Sequence, residues 1–413
     1  MPQFWCGIDW SETRHDVAVI DREGVAVAEA QIMETPEGLK ELLRLLSGLS
    51  TSHRHSRKQV PIAIETGRSL LVAELRKAGL TVIAINPTIV ARYRGRVSPA
   101  KKRKSDRSDA RLLANIIRTD GHLHRALPAS SEQAFALTEL SRAHRHAVRE
   151  QQYYVRRLRS QLRVFYPAAV QAWADLPKKI LRAEARALLH LAPTPAKAAK
   201  LTRRQIADTL TAAGRIRLVN QQADRLYEVF RQRQLHQPPA VEETMGTAML
   251  ATLDFLDHAD RLVHALDAEA TEAFLAHPQA KIYLSFPGVG SVMGSRLLAE
   301  IGDDPKRFAS PRGLKAYAGV APLTWSSGGS RSVTHRRVAN KFLKGTCHQW
   351  AFSSLTRSPG ARAHYDRRRE VGDRWSAALR NLAGRLLSCL HYCLQNDVLY
   401  SEEIAFPPTV VDG

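Results

Sequence analysis

The sequence predicts an α/β amino-terminal domain, a long helical middle and a mainly α carboxy-terminal domain. Three observations point there: short apolar runs alternating with amphipathic helices over residues 1–128, two very long helical periodicities within 129–278, and glycine-punctuated helices over 279–405. At 413 residues the chain has material for two or three domains. Its net charge of +21, from 61 Lys and Arg against 40 Asp and Glu, favours a polyanionic partner, because each cation that meets a phosphate releases condensed counterions. No apolar run reaches the roughly 20 residues that a membrane helix needs, and the first ten residues read as a strand rather than a signal peptide. Four scattered cysteines, Cys6, Cys347, Cys389 and Cys393, fit a reducing cytoplasm better than a disulfide framework. Cys389, His391 and Cys393 read as core packing rather than half a metal site, since no second ligand pair has matching spacing.

Phe4 to Asp9, Asp16 to Ile20 and Val25 to Ala30 form a meander, with Glu23-Gly24 as one turn. Asp9 ends the first strand. A carboxylate in the frame Gly7-Ile8-Asp9-Trp10 needs a partner, a capping role at Ser11, or a cation. Thr35 caps and Pro36 opens a helix through Leu46. Beyond the basic loop Ser50 to Lys58, the run Val60 to Ile64 ends at Glu65, a helix covers Ser69 to Ala78, and the strand Leu80 to Ile85 is closed by Asn86-Pro87. A basic arm, Arg92, Arg94, Arg96, Lys101, Lys102, Arg103 and Lys104, then leads into Asp106 and Asp109, which share a face if helical. Alone, these stretches are a solubilising loop and a solvated helix start. The order of elements is that of a ribonuclease H-like fold, in which strand ends meet beside a late helix. Convergence of Asp9, Glu65, Asp106 and Asp109 would then require Mg2+ or Mn2+ to offset their repulsion, and would put the arm beside a phosphodiester.

Ser131 to Tyr166 reads as one helix stopped by Pro167, with Phe135, Leu137 and Leu140 on one side. A second, from about Pro239 to Ala276, repeats Met249, Leu253, Leu256, Leu262, Leu266 and Phe274 at helical spacing. Together they suggest an antiparallel coiled-coil stalk whose stripe also suits another subunit, interrupted by a helical insertion at about 168–236. Pro287-Gly288-Val289-Gly290 before an apolar helix is either an ordinary turn or a helix-hairpin-helix turn, Gly288 and Gly290 seating a backbone phosphate. Trp325-Ser326-Ser327-Gly328-Gly329-Ser330-Arg331 reads on composition as a flexible loop, and residues 406–413 as a disordered tail.

The frames Gly7-Ile8-Asp9-Trp10-Ser11, Ala63-Ile64-Glu65-Thr66-Gly67, Ile85-Asn86-Pro87 and Lys104-Ser105-Asp106-Arg107-Ser108-Asp109-Ala110-Arg111 resemble, in order and spacing, the DEDD transposases of the one-hundred-and-ten insertion-sequence family. Pro287 to Arg337 resembles the second domain of that family. The resemblance implies a RuvC-like nuclease domain whose Asp9, Glu65, Asp106 and Asp109 hold magnesium, a coiled-coil segment, and Ser327 as nucleophile, with Ser326 and Ser330 as lesser candidates. Trp325 stands where many relatives carry tyrosine. A serine hydroxyl needs activation; Arg331, Arg336, Arg337 and Lys341 are placed to bind the scissile phosphate, and His335 is a candidate base. The implied function is that of a cytoplasmic transposase, a site-specific recombinase that cuts and rejoins donor and target DNA through a phosphoserine intermediate. A non-coding bridge RNA and a homo-oligomer, dimer or tetramer, are implied with it. The competing readings are a metal-dependent Holliday-junction-resolving nuclease with a merely structural Ser327, and a non-enzymatic nucleic-acid-binding protein.

Overall fold

The computed structural model describes residues 2–49, 59–97, 106–327, 330–336 and 338–407. By packing, the chain forms two compact units, Met1–Ala129 and Ser130–Gly413.

The first unit runs β1 (Trp5–Asp9), β2 (Arg14–Ile20), β3 (Ala26–Met33), α1 (Pro36–Gly48), β4 (Ile62–Ile64), α2 (Leu70–Lys77), β5 (Val82–Ala84), α3 (Pro87–Val97) and α4 (Asp106–Asp120). The five strands form one sheet in the order β3-β2-β1-β4-β5. The meander β1-β2-β3 is antiparallel, whereas β1-β4 and β4-β5 are parallel. Alternation divides the strand residues between two cores. Cys6, Ile8, Ile62 and Ile64 pack with Leu42 and Leu46 of α1 and Val72 and Leu75 of α2, while Ala63 and Ile83 pack with Leu112, Leu113, Ile116 and Ile117 of α4. Thr35 caps α1 by accepting from the Gly38 N–H, and Ser69 caps α2 through Val72. Asn86 accepts from the Thr88 N–H at 2.9 Å, so the Asn-Pro that ends a strand also starts α3. Arg92, Arg94 and Arg96 therefore stand on a helix rather than in an arm. Lys101, Lys102, Arg103 and Lys104 lie outside the described residues.

The second unit opens with α5 (Glu132–Phe165), followed by α6 (Pro167–Gln171), α7 (Ala183–Leu191), α8 (Pro195–Ala199), α9 (Arg203–Ala212), α10 (Val219–Val229) and α11 (Pro239–Leu275). It continues with α12 (Ala280–Leu284), α13 (Ser291–Ile301), α14 (Pro311–Tyr317), β6 (Pro322–Ser327), β7 (Ser330–His335), α15 (Lys341–Ser354), α16 (Pro359–Glu370), α17 (Trp375–Asn396) and α18 (Glu402–Ala405). Helices α5 and α11 are antiparallel neighbours. His144 lies 3.8 Å from Asp267, Gln151 donates to Asp260 at 2.7 Å, and Tyr154 stacks on Phe255. At one end Leu158, Leu162 and Phe165 join Met249, Leu253 and Leu256 in a core closed by α6 to α10. At the other, Leu137 and Phe274 join the core of α13 to α17. The waist between the two cores is polar.

Three expectations change. Phe135 does not share a side with Leu137: two residues apart on a helix is about 200°, and Phe135 is 42 % exposed while Leu137 is fully buried. The serine-glycine segment is not simply a loop, because β6 and β7 pair antiparallel from Pro322 with His335 to Ser327 with Ser330. The tail does not loosen at Phe406, whose ring lies 5.9 Å from that of His364; residues 408–413 lie outside the described residues. Cys389 and Cys393 carry free thiols, and His391 Nε2 is 2.9 Å from the Phe308 carbonyl oxygen.

The closest approach in the first unit is at Gly7. A Cβ there would sit 2.0 Å from the Ala110 carbonyl oxygen and 2.6 Å from the Ala114 nitrogen, both backbone atoms that cannot rotate away. Gly7→Ala is expected to lower stability by about 1–3 kcal/mol, measured by urea denaturation, whereas Gly121→Ala, where a Cβ meets nothing, should change it by less than about 1 kcal/mol.

Candidate active site

The parallel register of β1 and β4 pairs Cys6 with Ile62, Gly7 with Ala63 and Ile8 with Ile64. Asp9 ends β1 and Glu65 directly follows β4, so the two acids stand at the carboxyl ends of neighbouring parallel strands. By alternation Asp9 belongs with Gly7 to the face that α4 covers. Helix α4 runs antiparallel to β1: Arg118 near its end donates to the Arg22 carbonyl oxygen at 2.9 Å, beside the β2-β3 turn, and Ala110 lies against Gly7. Its start therefore faces the Asp9 end of the sheet. Asp106 is its first residue, and Asp109, 3 % exposed, follows one turn later.

Two neighbours escaped the sequence reading. Asp16 stands directly opposite Asp9 in the antiparallel register and accepts from Gln31 Nε2 at 3.3 Å. Arg94, expected to contact nucleic acid, instead clasps Asp109: Nε to Oδ1 at 3.0 Å and Nη2 to Oδ2 at 2.8 Å. A buried carboxylate needs such a counter-charge. The oxygen donors of Asp9, Glu65 and Asp109 suit a hard divalent cation, which would take over the compensation that Arg94 now provides.

In the second unit Ser327 is the last residue of β6, with Ser330 as its partner across the hairpin; Arg331 lies in β7. Arg336 follows and Lys341 opens α15, while Arg337 lies outside the described residues. The base of the hairpin is tied down by a polar chain. Asn340 caps α15 through the Phe342 and Leu343 N–H groups, and its amide donates to Glu300 at 2.7 Å and to the Tyr317 hydroxyl at 2.8 Å. Glu300 is held by Arg142 through two bonds of 2.9 Å. Burial pushes the Glu300 carboxyl up, but the hydrogen bonds from Arg142 and Asn340 outweigh it and hold it below the ordinary range. The sequence did carry a signal, a lone acid among Leu297, Leu298, Ala299 and Ile301, which must find a partner.

Arg142, Arg145 and Arg149 face the Phe342 ring at 5.5, 4.9 and 5.2 Å. Burial, reinforced by Arg296, pushes the Arg145 guanidinium down to about 10. The turn before α13 is occupied differently at its two glycines. Gly288, at φ +78°, lies against the Ser353 and Ser354 backbone, 2.9 Å from where its Cβ would be, whereas Gly290 faces open space. Close packing under α15 explains why position 288 holds glycine, while a side chain at Gly290 would meet nothing within 4 Å. Another acidic group, His190, Asp254 and Asp257, brings three ligand atoms within 4.8 Å, but Arg186 already pairs with Asp257.

Family models match the chain in two stretches. A DEDD transposase model of the IS110 type matches residues 6–167, and one described as transposase of the IS116/IS110/IS902 family matches residues 280–366. A mini-circle putative transposase for IS117 from Streptomyces coelicolor is 46 % identical over 404 residues, covering 98 % of this chain and 97 % of the relative. The chain belongs to the IS116/IS110/IS902 transposase family. An IS900 protein of Mycobacterium paratuberculosis, 27 % identical, covers 96 % of each chain, and an IS110 protein of Streptomyces coelicolor, 28 % identical, covers 73 % of each. A transposase is a DNA-processing enzyme, so DNA is a partner. Among the described residues no helix is long and apolar enough to cross a membrane.

Two measurements probe the two parts. Arg94→Ala leaves Asp109 without its guanidinium and should cost about 1–3 kcal/mol in thermal or urea melts without divalent ions, a loss that millimolar magnesium reduces. Glu300→Gln should flatten the acid limb of the stability profile. The folded Glu300 pKa lies below its ordinary 4.5, so its contribution is present above that value and is lost as pH falls through the folded one.

Proposed function

We propose that this transposase cuts and rejoins DNA through a phosphoserine intermediate formed at Ser327. The Ser327 oxygen attacks the scissile phosphorus, the bond to the 3′ oxygen breaks, and the departing 3′ oxygen takes up a proton equivalent to the one the serine gives up. Rejoining is the reverse step with a different 3′ end. Arg331, Arg336, Arg337 and Lys341 hold the phosphate and offset its extra charge. Asp9, Glu65, Asp106 and Asp109 would hold magnesium or manganese, which would supply Lewis-acid stabilisation to a leaving oxygen. Sequence choice lies in base pairing by a bridge RNA; Arg92, Arg96, Lys101, Lys102, Arg103 and Lys104 in the first unit, and separately the turn at Gly288 and Gly290 in the second, read backbone and shape. The antiparallel pair α5 and α11 serves as a coiled-coil stalk in a homo-oligomer.

The observation that best supports this reading is the parallel pairing of β1 with β4, which brings the strand ends at Asp9 and Glu65 to the same edge of the sheet, in a chain whose residues 280–366 match the transposase family.

With labelled donor and target DNA and the transcript of the adjoining non-coding segment, wild type should give a covalent protein–DNA adduct and recombinant product. Ser327→Ala should abolish both. Cutting that survives in Ser327→Ala would instead establish a hydrolytic nuclease. Asp106→Asn with Asp109→Asn should slow adduct formation by at least about 100-fold, the scale of losing a main electrostatic stabiliser; an unchanged rate rules the quartet out.

A further inference from the structure

On α15, Lys341, Gly345, His348 and Phe352 recur at spacings of four, three and four, which puts them on one helical face. Phe352 is 58 % exposed on this face. Across from it Trp375, the first residue of α17, is 49 % exposed. Its indole meets the His348 ring at 5.1 Å with planes 76° apart and the Phe352 ring at 6.5 Å with planes 64° apart. Both contacts are edge-to-face rather than stacked. Large rings left in water side by side are an unusual use of surface.

Gly345 makes the case sharper. Glycine is a poor helix former, and within α15 close packing would be the usual reason to keep one. A Cβ at Gly345 would meet nothing within 4 Å. What the glycine does leave is a clear strip between Lys341 and the rings.

The chain around the rings is predominantly basic: residues 359–380 hold six arginines against Asp366, Glu370 and Asp373, and Asp366 is matched by Arg362 and Asp373 by Arg368. Arg374 and Arg380 make no ion pair among the described residues, and Arg380 lies near enough to His348 to act on its charge.

From this juxtaposition we propose that His348, Phe352 and Trp375 form a stacking platform for unpaired nucleotides, with Lys341, Arg374 and Arg380 meeting the phosphates and Gly345 clearing the path. Every base has a π face, so such a platform is sequence-tolerant. It distinguishes strands with unstacked bases from duplex, which offers its backbone but hides its faces. Lys341 adjoins the segment from the Ser327 hairpin, so the strip extends in sequence from the proposed nucleophile. The inference rests on the chain handling nucleic acid and not on the chemistry of Ser327.

The test uses the full chain and fluorescence anisotropy with three labelled probes, a 20-mer of dT, a 20-mer of rU and a 20-bp duplex, from 50 to 300 mM salt. Trp375→Ala should weaken single-strand binding about ten-fold, with the salt slope and the duplex affinity unchanged, and Trp375→Phe should restore most of the loss. The joint change Arg374→Ala with Arg380→Ala should flatten the single-strand salt slope by about 1.4, at roughly 0.7 per phosphate contact. Gly345→Leu, which improves helix propensity and leaves the rings in place, should also weaken single-strand binding while the melting temperature holds or rises. Loss on dT alone, on rU alone or on both supports the platform and names its strand. Equal loss on duplex, or none on either strand, overturns it. So does a change of oligomeric state in Trp375→Ala by light scattering with strand binding intact, which would make the surface a contact between copies. Single-strand binding should persist in Ser327→Ala, so failure of the phosphoserine reading and failure of the platform are separately visible.

Discussion

The contact between Gly7 and Ala110 is the constraint on which the amino-terminal unit depends. Backbone meets backbone there with no side chain between, so α4 lies closer to β1 than an ordinary helix on a sheet. That contact lies two residues before Asp9 on the strand and one residue after Asp109 on the helix, and Glu65 directly follows β4, the parallel neighbour of β1. Like charges gathered this way are costly unless compensated. In the first unit the compensation visible at Asp109 is Arg94, whose guanidinium meets both carboxylate oxygens. A charge that sequence spacing would give to a nucleic-acid phosphate is engaged within the fold.

The carboxy-terminal unit depends on a different device. Its hairpin has only two strands, and such a ribbon has little stability of its own. Position comes from its base, where Glu300 gathers Arg142 from α5 and Asn340 from the start of α15, and Tyr317 adds a second bond to Asn340. One buried acid thus joins three helices below the segment that ends in Ser327. Because the pair is largely buried, its value is positional more than energetic.

Much of this was legible in the sequence where local chemistry decides. Thr35-Pro36 marks a helix start, Ser131 and Pro167 bracket a long helix, and the strand ends at Asp9 and Glu65 follow from apolar runs closed by acids. What escaped depends on register or on partners distant in sequence. No local pattern sets Asp16 opposite Asp9 or turns Arg94 toward Asp109. The hairpin escaped because serine and glycine supply no apolar alternation, so only cross-strand pairing defines it. Phe135 and Leu137 are both apolar yet stand on opposite sides of α5, because two residues on a helix advance about 200°.

The polar waist between the two cores of the second unit has a mechanical meaning. Leu137 belongs to one core and Leu158 to the other, about 30 Å apart at 1.5 Å per residue. Among the described residues α5 and α11 span that whole interval, braced part-way by Arg186 of α7 on Asp257 and Asp260 and by Phe342 of α15 against Arg145 and Arg149, so the cores are the ends of a braced lever. A tilt of about 5° at the insertion end carries the hairpin end roughly 3 Å sideways over that length, about the reach of a hydrogen bond. Whatever docks on α6 to α10 thereby acquires leverage over the end that carries the hairpin without touching it.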